Sequence, residues 1–129
     1  MLVEGLVNSG QTRGVIGAAS GAGSVYAFTS LHGLKPGGAY EVVAVTKACN
    51  VRLDEGALAA TGVLRLDTEA SEGGDAYASS LVRPRRPLRR ARSLRVFERE
   101  QDAELRQVAC TRAAVFIGGG AATGALIGS

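Results

Sequence analysis

The residues able to do chemistry are few. Among 129 residues there is one histidine, His32, and there are two cysteines, Cys49 and Cys110. Nucleophilic catalysis needs a base beside a serine, threonine or cysteine. His32 is the only imidazole, and no Gly-x-Ser-x-Gly elbow surrounds any serine. Two cysteines are too few for a structural zinc site. The carboxylates are scattered as Asp54-Glu55, Asp67 and Glu69, Glu72 and Asp75, and Glu98 to Glu104. They fall mostly in expected turns, where solvation explains them better than a hydrolytic pair. Gly17 to Gly23 is glycine-rich, but no Lys-Ser/Thr follows it, so it reads as a hairpin turn and not as a phosphate loop. The strongest charge signal is basic. Arg83, Arg85, Arg86, Arg89, Arg90, Arg92 and Arg95 fall between positions 83 and 95. Such a run can contact nucleic acid or another polyanion. Pro84 and Pro87 inside it argue against a regular recognition helix, and a net charge of +3 is too modest for a dedicated packaging protein. A solvated, charge-rich loop is the expectation, with polyanion binding through Arg83, Arg85, Arg86, Arg89, Arg90 and Arg92 as the alternative.

The frame that holds these residues is expected to be all-β. The apolar fraction is 46%, supplied mainly by aliphatic residues, with 3 Phe, 3 Tyr and no Trp, and 18 glycines suit many short strands with tight turns better than long helices. Candidate strands alternate with turn signals. They run over 2–7, 13–19, 24–31, 39–46, 61–68, 76–82, 93–98 and 108–117. In the third, Val25, Ala27 and Thr29 share one face, with Tyr26, Phe28 and Ser30 on the other. Lys35-Pro36-Gly37-Gly38 suits a type II turn. The stretch from Cys49 to Ala60 reads as a linker, and no 3.6-residue periodicity is long enough to demand a helix. Met1-Leu2-Val3-Glu4-Gly5 has neither a basic leader nor a long apolar region, so no secretory signal is expected. Residues 113–129 are uncharged, with Gly120, Gly124 and Gly128 at the spacing of packed membrane helices. The stretch is short for a span and its first half serves as a strand, so no membrane association is expected. One domain over 1–117 with a Gly/Ala-rich tail over 118–129 results.

Four landmarks in order carry a resemblance. They are Arg13-Gly14-Val15-Ile16, the turn Leu31-His32-Gly33-Leu34-Lys35-Pro36-Gly37, Cys49 after the next strand, and Ala91-Arg92-Ser93-Leu94-Arg95-Val96-Phe97-Glu98 continued by Val108-Ala109-Cys110. Together they resemble the Cu/Zn superoxide dismutases over residues 1 to 117. The resemblance implies an eight-stranded antiparallel Greek-key β-barrel or sandwich and a disulfide between Cys49 and Cys110.

The departures from that family bear on function. The two copper-histidine positions after the turn align with Val42 and Ala44, and the late copper histidine with Phe97. The loop that carries the remaining ligands in the enzymes is shortened to 50–60 and holds no histidine. The arginine that guides superoxide is replaced by Gln107. Redox cycling of copper needs several imidazoles, so no metal cofactor and no dismutase activity are expected. Degenerate members of the family from poxviruses have shortened loops and missing ligands, and this chain resembles them, with the Ala, Gly and Arg bias suiting a parapoxvirus such as orf virus. For that group the resemblance implies a non-catalytic protein, located in the host cytoplasm and the virion, that is either virion-associated or interferes with the host dismutase or its copper chaperone. It also implies a homodimer. The matching interface pieces are Val3 and Gly5, Ala48, Asn50 and Val51, Ala91 and Arg92, and the consecutive apolar residues Ala114, Val115, Phe116 and Ile117.

Overall fold

A computed structural model describes residues 1–21, 23–101 and 104–116. Nine antiparallel strands form two sheets among these residues, a five-stranded one and a four-stranded one packed as a sandwich. The strands are β1 (Leu2–Ser9), β2 (Thr12–Gly21), β3 (Ser24–His32), β4 (Ala39–Val45), β5 (Gly62–Glu69), β6 (Ala76–Val82), β7 (Ser93–Arg99), β8 (Leu105–Arg112) and β9 (Ala114–Phe116). The first sheet has the order β6-β3-β2-β1-β9 and the second β5-β4-β7-β8. At the two sides of the sandwich β5 lies beside β6 and β1 beside β8.

The core follows from strand alternation. Val3 and Val7 of β1, Ile16 and Ala18 of β2, and Val25, Ala27 and Leu31 of β3 point inward. They meet Tyr40, Val42 and Ala44 of β4, Leu64 and Leu66 of β5, and Leu94 and Val96 of β7. The expected faces of β3 are the observed ones: Val25, Ala27 and Thr29 are buried, while Tyr26 is exposed and Phe28 and Ser30 half-buried. Gly37 takes φ +75° and the Gly38 N–H donates to the Lys35 carbonyl at 3.0 Å, the turn expected there.

Two local expectations are corrected. The stretch read as a linker contains a short helix, α1 (Glu55–Thr61), capped by Asp54, whose carboxylate accepts from the Ala57 N–H at 2.7 Å. The expected last strand over 108–117 divides at Ala113. There the Ala113 N–H donates to the Arg92 carbonyl at 3.0 Å, and the chain leaves the second sheet as β8 and joins β1 of the first as β9. Ile117 and the tail lie outside the described residues. No described helix is long and apolar enough to cross a membrane.

Candidate functional site

The candidate ligand positions, Val42, Ala44 and Phe97, fall on β4 and β7 at the centre of the four-stranded sheet. Cross-strand partners share a face. Val42 pairs with Leu66 and Val96, and Ala44 with Leu64 and Leu94, all within the core between the sheets. Phe97 pairs with Glu41 and Gln107 and packs with Val43 and Val45 in a separate apolar cluster on the opposite side. Val42, Ala44 and Phe97 therefore do not converge. The structure puts Glu41, Val43 and Val45 beside Arg95, Phe97 and Arg99 instead.

The outer face of this sheet is closed by apolar packing and by guanidinium groups. Leu53, Leu58 of α1 and Leu105 of β8 pack on Val43, Val45 and Phe97. A cleft of about 570 Å³ opens between α1 and the sheet, floored by Val43, Leu58, Phe97 and Leu105, with Arg65, Arg83, Arg85 and Arg99 around it. The Glu41 carboxylate in its wall is buried and accepts from Arg99 on one side and from Arg65 Nε at 3.0 Å on the other. Arg65 in turn is held above its ordinary pKa, first by its hydrogen bond to Asp67 and then by the Glu41 and Asp67 charges. Both carboxylate oxygens of Glu41 are thus engaged by guanidinium groups.

Arg95 is the unusual residue of the face. Its side chain has no solvent exposure, and among the described residues no carboxylate lies within ion-pair distance of it. Burial lowers its pKa below the ordinary guanidinium value, but a guanidinium stays protonated. It is satisfied by three neutral acceptors: Ser93 Oγ at 3.1 Å, Gln107 Oε1 at 3.1 Å and the Ala48 carbonyl at 2.6 Å. Ser93 Oγ itself donates to the Lys47 carbonyl at 2.6 Å. Arg95 and Ser93 thus tie the loop after β4 to β7. The adjoining disulfide, Cys49 to Cys110 with Cα atoms 5.8 Å apart, ties the same loop to β8. Sequence reading counted Arg95 within a basic run. Its apolar neighbours in an alternating strand, Leu94 and Val96, were the available signal that its partners are internal.

The remaining sequence candidates separate. Arg86 donates to the Gly62 carbonyl at 2.6 Å and to the Ala60 carbonyl, and Arg85 to the Ala59 carbonyl at 3.4 Å, so both cap the C-terminus of α1. Arg83, Arg89, Arg90 and Arg92 are exposed. Among the interface candidates Val3, Gly5 and Ala91 are buried within the protomer, because they face the opposite sheet or the packed turn, and offer no surface. Asn50, Val51 and Arg92 are exposed, Ala48, Ala114 and Val115 are half-buried, and Phe116 is buried. His32 Nδ1 lies 2.7 Å from Asp75 Oδ1, far from the outer face of the second sheet in the topology. No group of three His, Cys, Asp or Glu placed to hold a metal occurs among the described residues. The donors on this face, the clamped Glu41 and the exposed Asp67 and Glu69 among aliphatic side chains and arginines, do not fit copper or zinc.

Compared with known proteins, the chain matches no family model and no curated protein sequence.

Proposed function

We propose that this chain is a non-catalytic binding protein on a Greek-key frame similar to that of the Cu/Zn superoxide dismutases. The observation that carries the reading is the outer face of β4 and β7, where Val43, Val45 and Phe97 form a closed apolar cluster and the one buried carboxylate, Glu41, is neutralised by Arg65 and Arg99. The succession of β4, β5 and β6 around the sandwich, with β6 returning beside β3, supports the Greek-key part. The Cys49–Cys110 bond, where the resemblance implies one, supports the dismutase-like part.

A surface without reactive groups acts by occupying a partner. The partners this reading names are the host dismutase and its copper chaperone, competed for by a chain that offers no metal ligands. Binding polyanions through the arginine loop is the other reading, and it has fewer free side chains than the sequence suggests, since Arg85 and Arg86 are spent on α1.

The test is pull-down of purified Cu/Zn superoxide dismutase and of its chaperone at rising salt, with duplex DNA and heparin in parallel. A complex with either protein that persists at high salt supports the proposal. Binding only to DNA or heparin, lost steeply with salt, overturns it in favour of the arginine loop.

A further inference from the structure

The outer face of the five-stranded sheet carries an apolar layer that the sandwich leaves uncovered. In an antiparallel sheet one row of cross-strand partners shares a face. The row Leu2, Ala19, Tyr26 and Leu81 runs across β1, β2, β3 and β6, with Phe116 of β9 at its end. Four residues along each strand, the row Leu6, Val15, Ser30 and Tyr77 points the same way. Leu6 is 74% exposed, Leu81 70%, Tyr77 66% and Tyr26 45%, and the remaining large exposed hydrophobic among the described residues, Val51, lies elsewhere. Between the two rows Phe28 lies over Gly17, with its Cζ 2.2 Å from where a Cβ on that glycine would stand. The ring fills the place of a side chain on β2 and smooths the centre of the face.

We infer that this face pairs with the same face of a second copy of the chain, through a two-fold axis that runs along the strands between β2 and β3. This inference stands apart from the proposed function and does not depend on it. An axis so placed keeps each row and exchanges β1 with β6 and β2 with β3. It sets Leu2 against Leu81 of the second copy and Leu6 against Tyr77. The small residues Ala19 and Ser30 then meet the larger Tyr26 and Val15, and Gly17 faces Phe28. Large side chains oppose small ones at the centre, as interdigitating sheets require. Charge agrees with this axis and not with one across the strands. An axis across the strands between the two apolar rows would bring Glu4 against its own copy, whereas the axis along the strands sets Glu4 against Ser79. At the rim it sets Arg13, the partner of His32 across β2 and β3, against His32 of the second copy, beside the Asp75 carboxylate that lies 2.7 Å from His32 Nδ1. Strand spacing and rise give roughly 400 Å² of flat area per copy. Side-chain relief raises that toward the ~600 Å² per partner at the low end of specific interfaces. Reversible, concentration-dependent dimerisation follows, and a two-fold contact of this kind closes on itself.

The experiment is sedimentation velocity of the full chain across a wide concentration range. A concentration-dependent dimer is expected, weakened about tenfold or more by Leu6→Glu, a substitution at an exposed position that leaves the unfolding midpoint unchanged. Arg13→Asp and Asp75→Arg should each weaken the dimer and together restore it, which a heterologous occupant would not reproduce. Val51→Glu should have no effect. A monomer at all concentrations overturns the inference. So does a dimer insensitive to Leu6→Glu, or one broken by Val51→Glu, and so does failure of the double reversal to restore what each single reversal loses. Loss of binding to a dismutase or chaperone would overturn the proposed function and leave these outcomes untouched.

Discussion

Arg95 shows how a buried charge is held without a counter-ion. Three neutral oxygens, each from a different segment, share its hydrogen bonds, and no buried side-chain polar atom among the described residues lacks a partner. Arg95→Leu would leave the Gln107 amide and the Ala48 carbonyl unmatched, and is expected to destabilise the fold by about 2–4 kcal/mol in urea unfolding. Arg95→Lys should recover little of it, because a point ammonium cannot span three acceptors. Tyr40 supplies a pH dependence. Its hydroxyl accepts from the Lys35 N–H at 2.8 Å and donates to Glu98 at 3.2 Å, and burial raises its pKa above 10.0, with the Glu98 charge adding to the rise. A raised folded pKa means that the stabilisation is complete below pH 10.0 and is lost as pH climbs through the folded value. Unfolding followed between neutral and strongly alkaline pH should show that loss, and Tyr40→Phe should flatten it. An equal loss in Tyr40→Phe would count against this assignment.

The elements were largely legible in the sequence because alternation and turn residues agree. Val25 to Leu31 alternates cleanly, and the strand boundaries around it came out within a residue or two. Where the reading missed, the physics of the segment explains it. From Tyr40 to Val45 every residue is buried, on one side by the core and on the other by α1, Leu53 and Leu105. An apolar run of this kind carries no period, and a one-residue slip exchanges the two faces. That is why Val42 and Ala44 could be aligned with Phe97 while lying on the other side of the sheet. Helix α1 has 7 residues, too few for a period. Its signal was the cap, Asp54 followed by Glu55. Asp54→Ala is expected to cost about 1 kcal/mol. Arg86→Ala, by uncapping the last carbonyls of α1, should cost about as much, whereas Arg89→Ala should stay within about 0.5 kcal/mol. Chemical denaturation of the three variants separates arginines that hold the fold from those that decorate it. Equal effects of Arg86→Ala and Arg89→Ala would contradict this division.

At the scale of the whole molecule the Cys49–Cys110 bond closes a loop with a sequence separation of 61. In the chain-entropy model that stabilises the fold by about 4 kcal/mol. Cys49 is exposed, so mild reductant should reach the bond in the folded protein and lower the unfolding midpoint. A midpoint indifferent to reduction would remove the disulfide from the account of stability. The two faces of the sandwich divide the molecule further. One is packed with α1, Leu53, Leu105 and arginines over β4 and β7, and the other is open and apolar over β1, β2, β3 and β6. On the proposed function, the packed face binds its partner without metal, whatever metal is supplied. The most direct measurement is elemental analysis of the chain purified from copper- and zinc-supplemented cultures and dialysed without chelator. Copper and zinc far below one equivalent per chain are predicted, and one tightly held equivalent of either metal would contradict the account.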